Sequence, residues 1–144
     1  IAKALRHVQA PVVLAAGFTG GRLDHQLAAL HSLAAHPHRR ALLVSATEVI
    51  CLAPRVLHVP LAKRDTVSLV PLAPVTGWAD GLEWPIEGLA FDPITKIGTS
   101  NRATGPVSLQ FDAPRMILIV PRKALAALTQ ALAALPASGR WPAP

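Results

Sequence analysis

Pro11-Val-Val-Leu-Ala-Ala-Gly17-Phe-Thr-Gly20-Gly21-Arg22-Leu-Asp24-His25, continuing into Gln26-Leu-Ala-Ala-Leu30-His-Ser-Leu33-Ala-Ala35, is the stretch that decides the first half of the fold. A short apolar run bounded by proline and glycine reads as a strand buried on both faces. The three glycines mark a tight loop. From Leu23 to Ala35, Leu27, Leu30 and Ala34, with Leu23 and Leu33 beside them, recur at helical spacing, and Pro37 closes the pattern. Strand, glycine loop and helix in that order open an α/β unit, and a strand reached through such a helix lies parallel to the first.

Working outward, Ile1 to Gln9 reads as the tail of a helix, so the sequence is expected to open within a domain and not at a natural start. Downstream, Ala41-Leu-Leu-Val44, Glu48-Val-Ile-Cys-Leu52 and Val56-Leu-His-Val59 are short strand-like runs. Beyond Lys63-Arg64-Asp65 the texture becomes all-β: β-branched runs separated by proline or glycine, without helical periodicity. Candidate strands there are Thr66 to Val70, Val75 to Ala79, Ile94 to Gly98, Val107 to Phe111 and Met116 to Val120, enough for a small sandwich or partial barrel, with the domain boundary near residue 63. Lys123 to Leu135 is rich in helix formers, and Leu125, Leu128, Leu132 and Leu135 give it one apolar stripe that docks on the body or on a second subunit. Ser138 to Pro144 reads as a loose tail.

Composition excludes several classes. The 144 residues are 51% hydrophobic, mostly aliphatic, which rules out disorder by low hydrophobicity and suits a packed core. Lone Cys51, inside an apolar run, excludes an internal disulfide and fits a buried small hydrophobe in a reducing, cytoplasmic setting. Every apolar stretch is interrupted before membrane-spanning length, so no membrane is expected. The net charge of +6 would attract nucleic acid, a membrane surface or an anionic small molecule alike. Scattered basic residues and only 4% aromatics make a poor base-stacking surface, so no nucleic acid is expected.

The glycine loop carries the sharpest chemistry. Its glycines let a ligand approach the backbone, and Arg22, Asp24 and His25 gather at a helix N-terminus, a position that favours anions. Arg22 suits a phosphate fork, and Asp24 a magnesium ion that bridges phosphates. The same residues also fit a plain strand-to-helix turn, with Asp24 opposing the helix dipole and Arg22 solvated. The histidines His31, His36, His38 and His58 have no cysteine or carboxylate partners at zinc spacing.

A second feature is Gly81-Leu-Glu-Trp84-Pro85, followed by Thr99-Ser100-Asn101. Gly-Gly-Arg-x-Asp-His before a helix, then Gly-Leu-x-Trp-Pro, then Thr-Ser-Asn, in that order, resembles the thiamine pyrophosphokinases over roughly Ile1 to Arg122. The resemblance implies a partial three-layer α/β domain with a parallel sheet over residues 1–63, a thiamine-binding β-sandwich over 64–122, a C-terminal helix and tail over 123–144, and a homodimer with active sites between subunits. It implies a transferase that passes pyrophosphate from ATP to thiamine in the cytoplasm, with Mg2+ as cofactor. Gly20, Gly21, Arg22 and His25 would lie at ATP, with Arg22 and Asp24 catalytic and Asp24 a metal ligand. Trp84, Ser100 and Asn101 would bind thiamine, the indole stacking on the cationic vitamin. Ala29 stands where the family often has Asn, and Arg102 where it often has Glu. The family's acidic segment, with most of its magnesium ligands, is expected before Ile1, so this polypeptide alone is expected not to turn over. Competing expectations are a non-catalytic β-sandwich binding module and a degenerate, inactive relative.

Overall fold

A computed structural model describes residues 1–143. After a short helix α1 (Ala2–His7) come β1 (Val13–Ala16), α2 (Leu23–Ala34), β2 (Ala41–Val44), β3 (Glu48–Leu52) and β4 (Val56–Val59). β5 (Thr66–Pro71), β6 (Val75–Leu82), β7 (Ala90–Phe91), β8 (Gly98–Phe111) and β9 (Met116–Pro121) follow, and α3 (Leu125–Ala133) comes last. The expected change from α/β to β-rich structure is present, with the C-terminal helix in place. Among the described residues no helix is long and apolar enough to cross a membrane.

The ladder runs β1-β2-β3-β9-β5-β8-β6-β7, with β4 also on β8. β1 and β2 pair in parallel, as the α2 crossover requires. β2 turns straight back into antiparallel β3 because the Ser45 hydroxyl accepts the N–H of Thr47 and Glu48 at 3.2 and 2.8 Å, closing a tight turn. β3 then pairs β9, so strands from both sides of residue 63 share one ladder.

β8 forms the sandwich. Its first residues pair β5, and from Ala103 onward its partners are β6 on one side and β4 on the other. Gly105 and Pro106 sit in the register gap between those pairings, where a missing proline N–H leaves no ladder bond unmade. The core is aliphatic, with Leu57, Leu69, Leu109, Phe111, Met116 and Leu118 essentially sealed. Cys51 is buried as the sequence suggested, and burial pushes its thiol up to about 12.

Four expectations need correction. β1 is not buried on both faces: Leu14 is 52% exposed, and among the described residues β1 ends the strand order with β2 as its one partner. The helical stripe of α2 is rotated as well, since Ala29, Ser32 and Leu33 face inward while Leu23 and Leu27 face solvent. Small residues let the helix lie close to the sheet. Ile94 to Gly98 is not a strand; Asp92 Oδ1 accepts the N–H of Ile94 and Thr95 and folds that stretch into a turn, so β8 starts at Gly98 and absorbs the Thr-Ser-Asn motif. The tail is not loose up to Trp141, whose buried indole donates to the carbonyl of Ala53 at 2.8 Å; Pro144 lies outside the described residues. α3 docks its stripe on the body, with Leu128, Leu132 and Leu135 buried.

Candidate functional site

The loop from Gly17 to Gly21 needs glycine for its backbone. Gly17 and Gly20 have φ of +82° and +81°, while a methyl group at any of the loop's three glycines would meet no atom within 4 Å. The loop is open to solvent at all three glycines. α2 begins at Leu23, and Arg22 is its N-cap without a side-chain cap bond. Arg22 instead reaches Asp24, donating through Nε at 3.1 Å and through a terminal nitrogen at 2.6 Å, a two-pronged pair. The hydrogen bond from Arg22 holds the Asp24 carboxyl below its ordinary range, assisted by the His25 N–H, which Asp24 Oδ1 accepts at 3.0 Å. Both side chains are exposed, 71% for Arg22 and 61% for Asp24. Among the described residues no three histidine, cysteine or carboxylate side chains gather to hold a metal ion. Asp24 alone offers oxygens, and both are engaged by Arg22.

The second group is built differently. Asn101 lies on β8, is only 7% exposed, and spends its amide on the backbone of the loop after β6. Its oxygen accepts the N–H of Trp84 at 3.1 Å and of Arg102 at 2.8 Å, and its nitrogen donates to the Trp84 carbonyl at 2.7 Å. One amide hydrogen remains for a ligand. The Glu83 N–H donates to the Arg102 carbonyl at 2.8 Å, so the loop is laced to the strand. Trp84 is thereby held half-exposed, its indole out of the core. Arg102 lies over that ring, 5.7 Å from its centroid, and faces Glu83 at 3.8 Å. Lys96 and Arg102, both exposed, belong to the surroundings of Trp84. A small, open cavity of about 170 Å3 lies there, lined by Trp84, Ile86, Phe91, Lys96, Thr99 and Asn101 among others.

Ser100 departs from its neighbours. Between Val67 and Leu69 on β5, the β8 register advances from Asn101 to Gly98, which inserts one extra residue. Ser100 takes φ of +65° in that bulge, and its N–H is received by the Ser68 hydroxyl at 3.0 Å. Thr99 and Asn101 line the Trp84 cavity, whereas Ser68 lines a separate groove of about 230 Å3 with Thr47, Thr66 and Pro121. The bulge could not be read from Thr-Ser-Asn alone, because no local residue demands it.

The two groups share one rim. Val44 pairs Val49, Glu48 pairs Pro121, Ser68 pairs Ile119 and Thr66 pairs Arg102, so Ala16, Val44, Glu48, Pro121, Thr66 and Arg102 all mark the same end of the ladder. The glycine loop leaves β1 at that end, and Asn101 lies near it on β8. Five strand steps separate β1 from β8, about 24 Å along the sheet at a usual spacing of about 4.8 Å. Within one chain, Arg22 and Asp24 are therefore not brought together with Trp84 and Asn101.

No protein-family model matches this sequence, and no curated protein does. Solved structures do match the fold. Thiamin pyrophosphokinase from Geobacillus thermodenitrificans aligns with a TM-score of 0.69 at 19% identity, over 83% of this chain and 57% of that one. Thiamin pyrophosphokinase from Candida albicans gives 0.68 at 15% identity, over 76% and 44%. A thiamin pyrophosphokinase family protein from Enterococcus faecalis gives 0.61 at 25% identity, over 75% and 54%. This chain has the thiamin pyrophosphokinase fold, and it spans about half the length of the solved structures it matches.

Proposed function

We propose that this chain is part of a thiamine pyrophosphokinase, in which the hydroxyethyl oxygen of thiamine attacks the β-phosphorus of ATP. The bond from that phosphorus to the α-bridging oxygen breaks, AMP leaves, and the hydroxyl proton passes to a carboxylate or water. The observation that carries the reading is that all three sequence motifs, in the order seen in that family, fall on one rim of a sheet with that family's fold.

Catalysis of this kind is positioning and charge neutralisation. Gly20 and Gly21 leave the loop backbone open to phosphate oxygens, His25 stands beside them at the start of α2, and Arg22 turns from Asp24 to the transferring group. An Asp24 carboxyl held low in pKa stays ionised but is a weak base, so its role is to orient Arg22 and to offer oxygen to a cation. One carboxylate suits a magnesium ion carried in on ATP phosphates better than one caged by protein. Trp84 supplies the platform for the vitamin's rings, with Thr99 and the free amide hydrogen of Asn101 at its edge and Ser100 in the adjoining bulge.

A separation of about 24 Å along the sheet favours assembly of the site from two copies, the loop of one facing the Trp84 cavity of the other. The cavity's small volume fits a half-site, since complete ligand pockets run from about 300 Å3 upward. The test is AMP release by the full gene product with thiamine present or omitted. Thiamine-dependent AMP, reduced at least a hundredfold by Arg22→Ala, is expected. Thiamine binding lost in Trp84→Ala without any AMP release would instead identify an inactive relative, and no thiamine binding at all would end the reading.

A further inference from the structure

The charges around Trp84 run against a bare cationic ligand. Thiamine is a cation, and an indole face alone suits it. Here Arg102 already occupies one side of that indole, with its guanidinium 5.7 Å from the ring centroid. Lys96 lines the cavity, and no carboxylate is among the lining residues. Of the acids in the flanking loops, Glu83 is engaged with Arg102, Glu87 accepts the Ala79 N–H, and Asp92 accepts the N–H groups of Ile94 and Thr95. A planar ring entering this cavity meets Lys96 in its lining and, at the indole, Arg102, which Glu83 partly neutralises.

We propose that Lys96 and Arg102 make the Trp84 cavity selective for a ring compound that carries phosphate over the same ring as an unmodified cation. The inference rests on the reading of Trp84 as the vitamin's platform and deepens it: the half-site holds the diphosphate product more tightly than the substrate. Arg102 is fixed for this role by its backbone. Its N–H is received by Asn101 and its carbonyl accepts the Glu83 N–H, so the guanidinium starts from a braced point on β8.

The test is titration calorimetry of the full gene product with thiamine and, separately, with thiamine diphosphate, without nucleotide and at low salt. About tenfold tighter binding of the diphosphate is expected, a gap that added salt narrows. Arg102→Gln and Lys96→Met should each shrink the gap, and together bring it under about threefold, chiefly by weakening the diphosphate. Arg22→Gln serves as the comparison, since its loop offers the other phosphate site. Thiamine bound as tightly as the diphosphate would overturn the inference and leave the platform reading intact. A gap that survives the double substitution but vanishes with Arg22→Gln would do the same. If neither compound binds in a Trp84-dependent way, both fall together.

Discussion

The glycine loop and the Trp84 loop stand at the same end of the sheet but are held in opposite ways. The first is local: Arg22 and Asp24 bond to each other two residues apart, both exposed, beside glycines at which an added methyl group would meet open space. The second is tertiary: Asn101, seventeen positions away in sequence, clasps the backbone of Trp84 from a neighbouring strand. The contrast shows that a half-exposed indole can be fixed in place within one chain while a glycine loop at the same end of the sheet stays open to solvent.

The glycines sharpen the contrast most. Gly81 has φ of +83°, and a methyl group there would lie 2.1 Å from the Pro106 carbonyl oxygen. Gly81→Ala should therefore cost about 4 kcal/mol, combining backbone strain with an overpacked contact. Gly20→Ala carries the strain without the clash and should cost about 1 kcal/mol. Urea denaturation of the pair measures the difference; equal losses would erase the distinction between a packed and an open loop.

Asn101→Ala removes three hydrogen bonds and strands backbone groups of Trp84 and Arg102, for an expected loss of about 2.5 kcal/mol by the same denaturation experiment. A loss within error would mean that water replaces the amide and that the platform is not braced.

The smallest effect belongs to the exposed pair. Arg22→Gln should return the Asp24 carboxyl upward toward its ordinary value of 3.8, seen by NMR titration of the side chain. A carboxyl whose folded pKa is depressed contributes stability above its unfolded pKa, and loses it as pH falls through the lower folded value. Solvent screens this pair, so the denaturation midpoint should hardly move above pH 5. A large shift there would show the loop to be part of the packed body.

Much of this was legible in the residues. The α2 crossover, the parallel β1 and β2, the all-β texture and the leucine stripe of α3 follow from local periodicity, and the three motifs stand out by residue type. Ile94 to Gly98 misled because an apolar pair beside β-branched Thr95 looks like a strand, while Asp92 upstream closes a turn that apolar pattern does not record. Leu23 and Leu27 misled because helical spacing fixes that there is a stripe, not which neighbour covers it.

Sequence alone determined the change from α/β to β-rich structure, the glycine-dependent loop and the residue types at each motif, because these rest on short-range backbone preference and side-chain chemistry. Tertiary structure decided that Asn101 braces Trp84, that Arg102 caps the indole, that Ser100 sits in a bulge, and that loop and platform lie at opposite ends of one rim. Each of those depends on strand register, which is set by pairing between distant segments and by the packing of their buried faces.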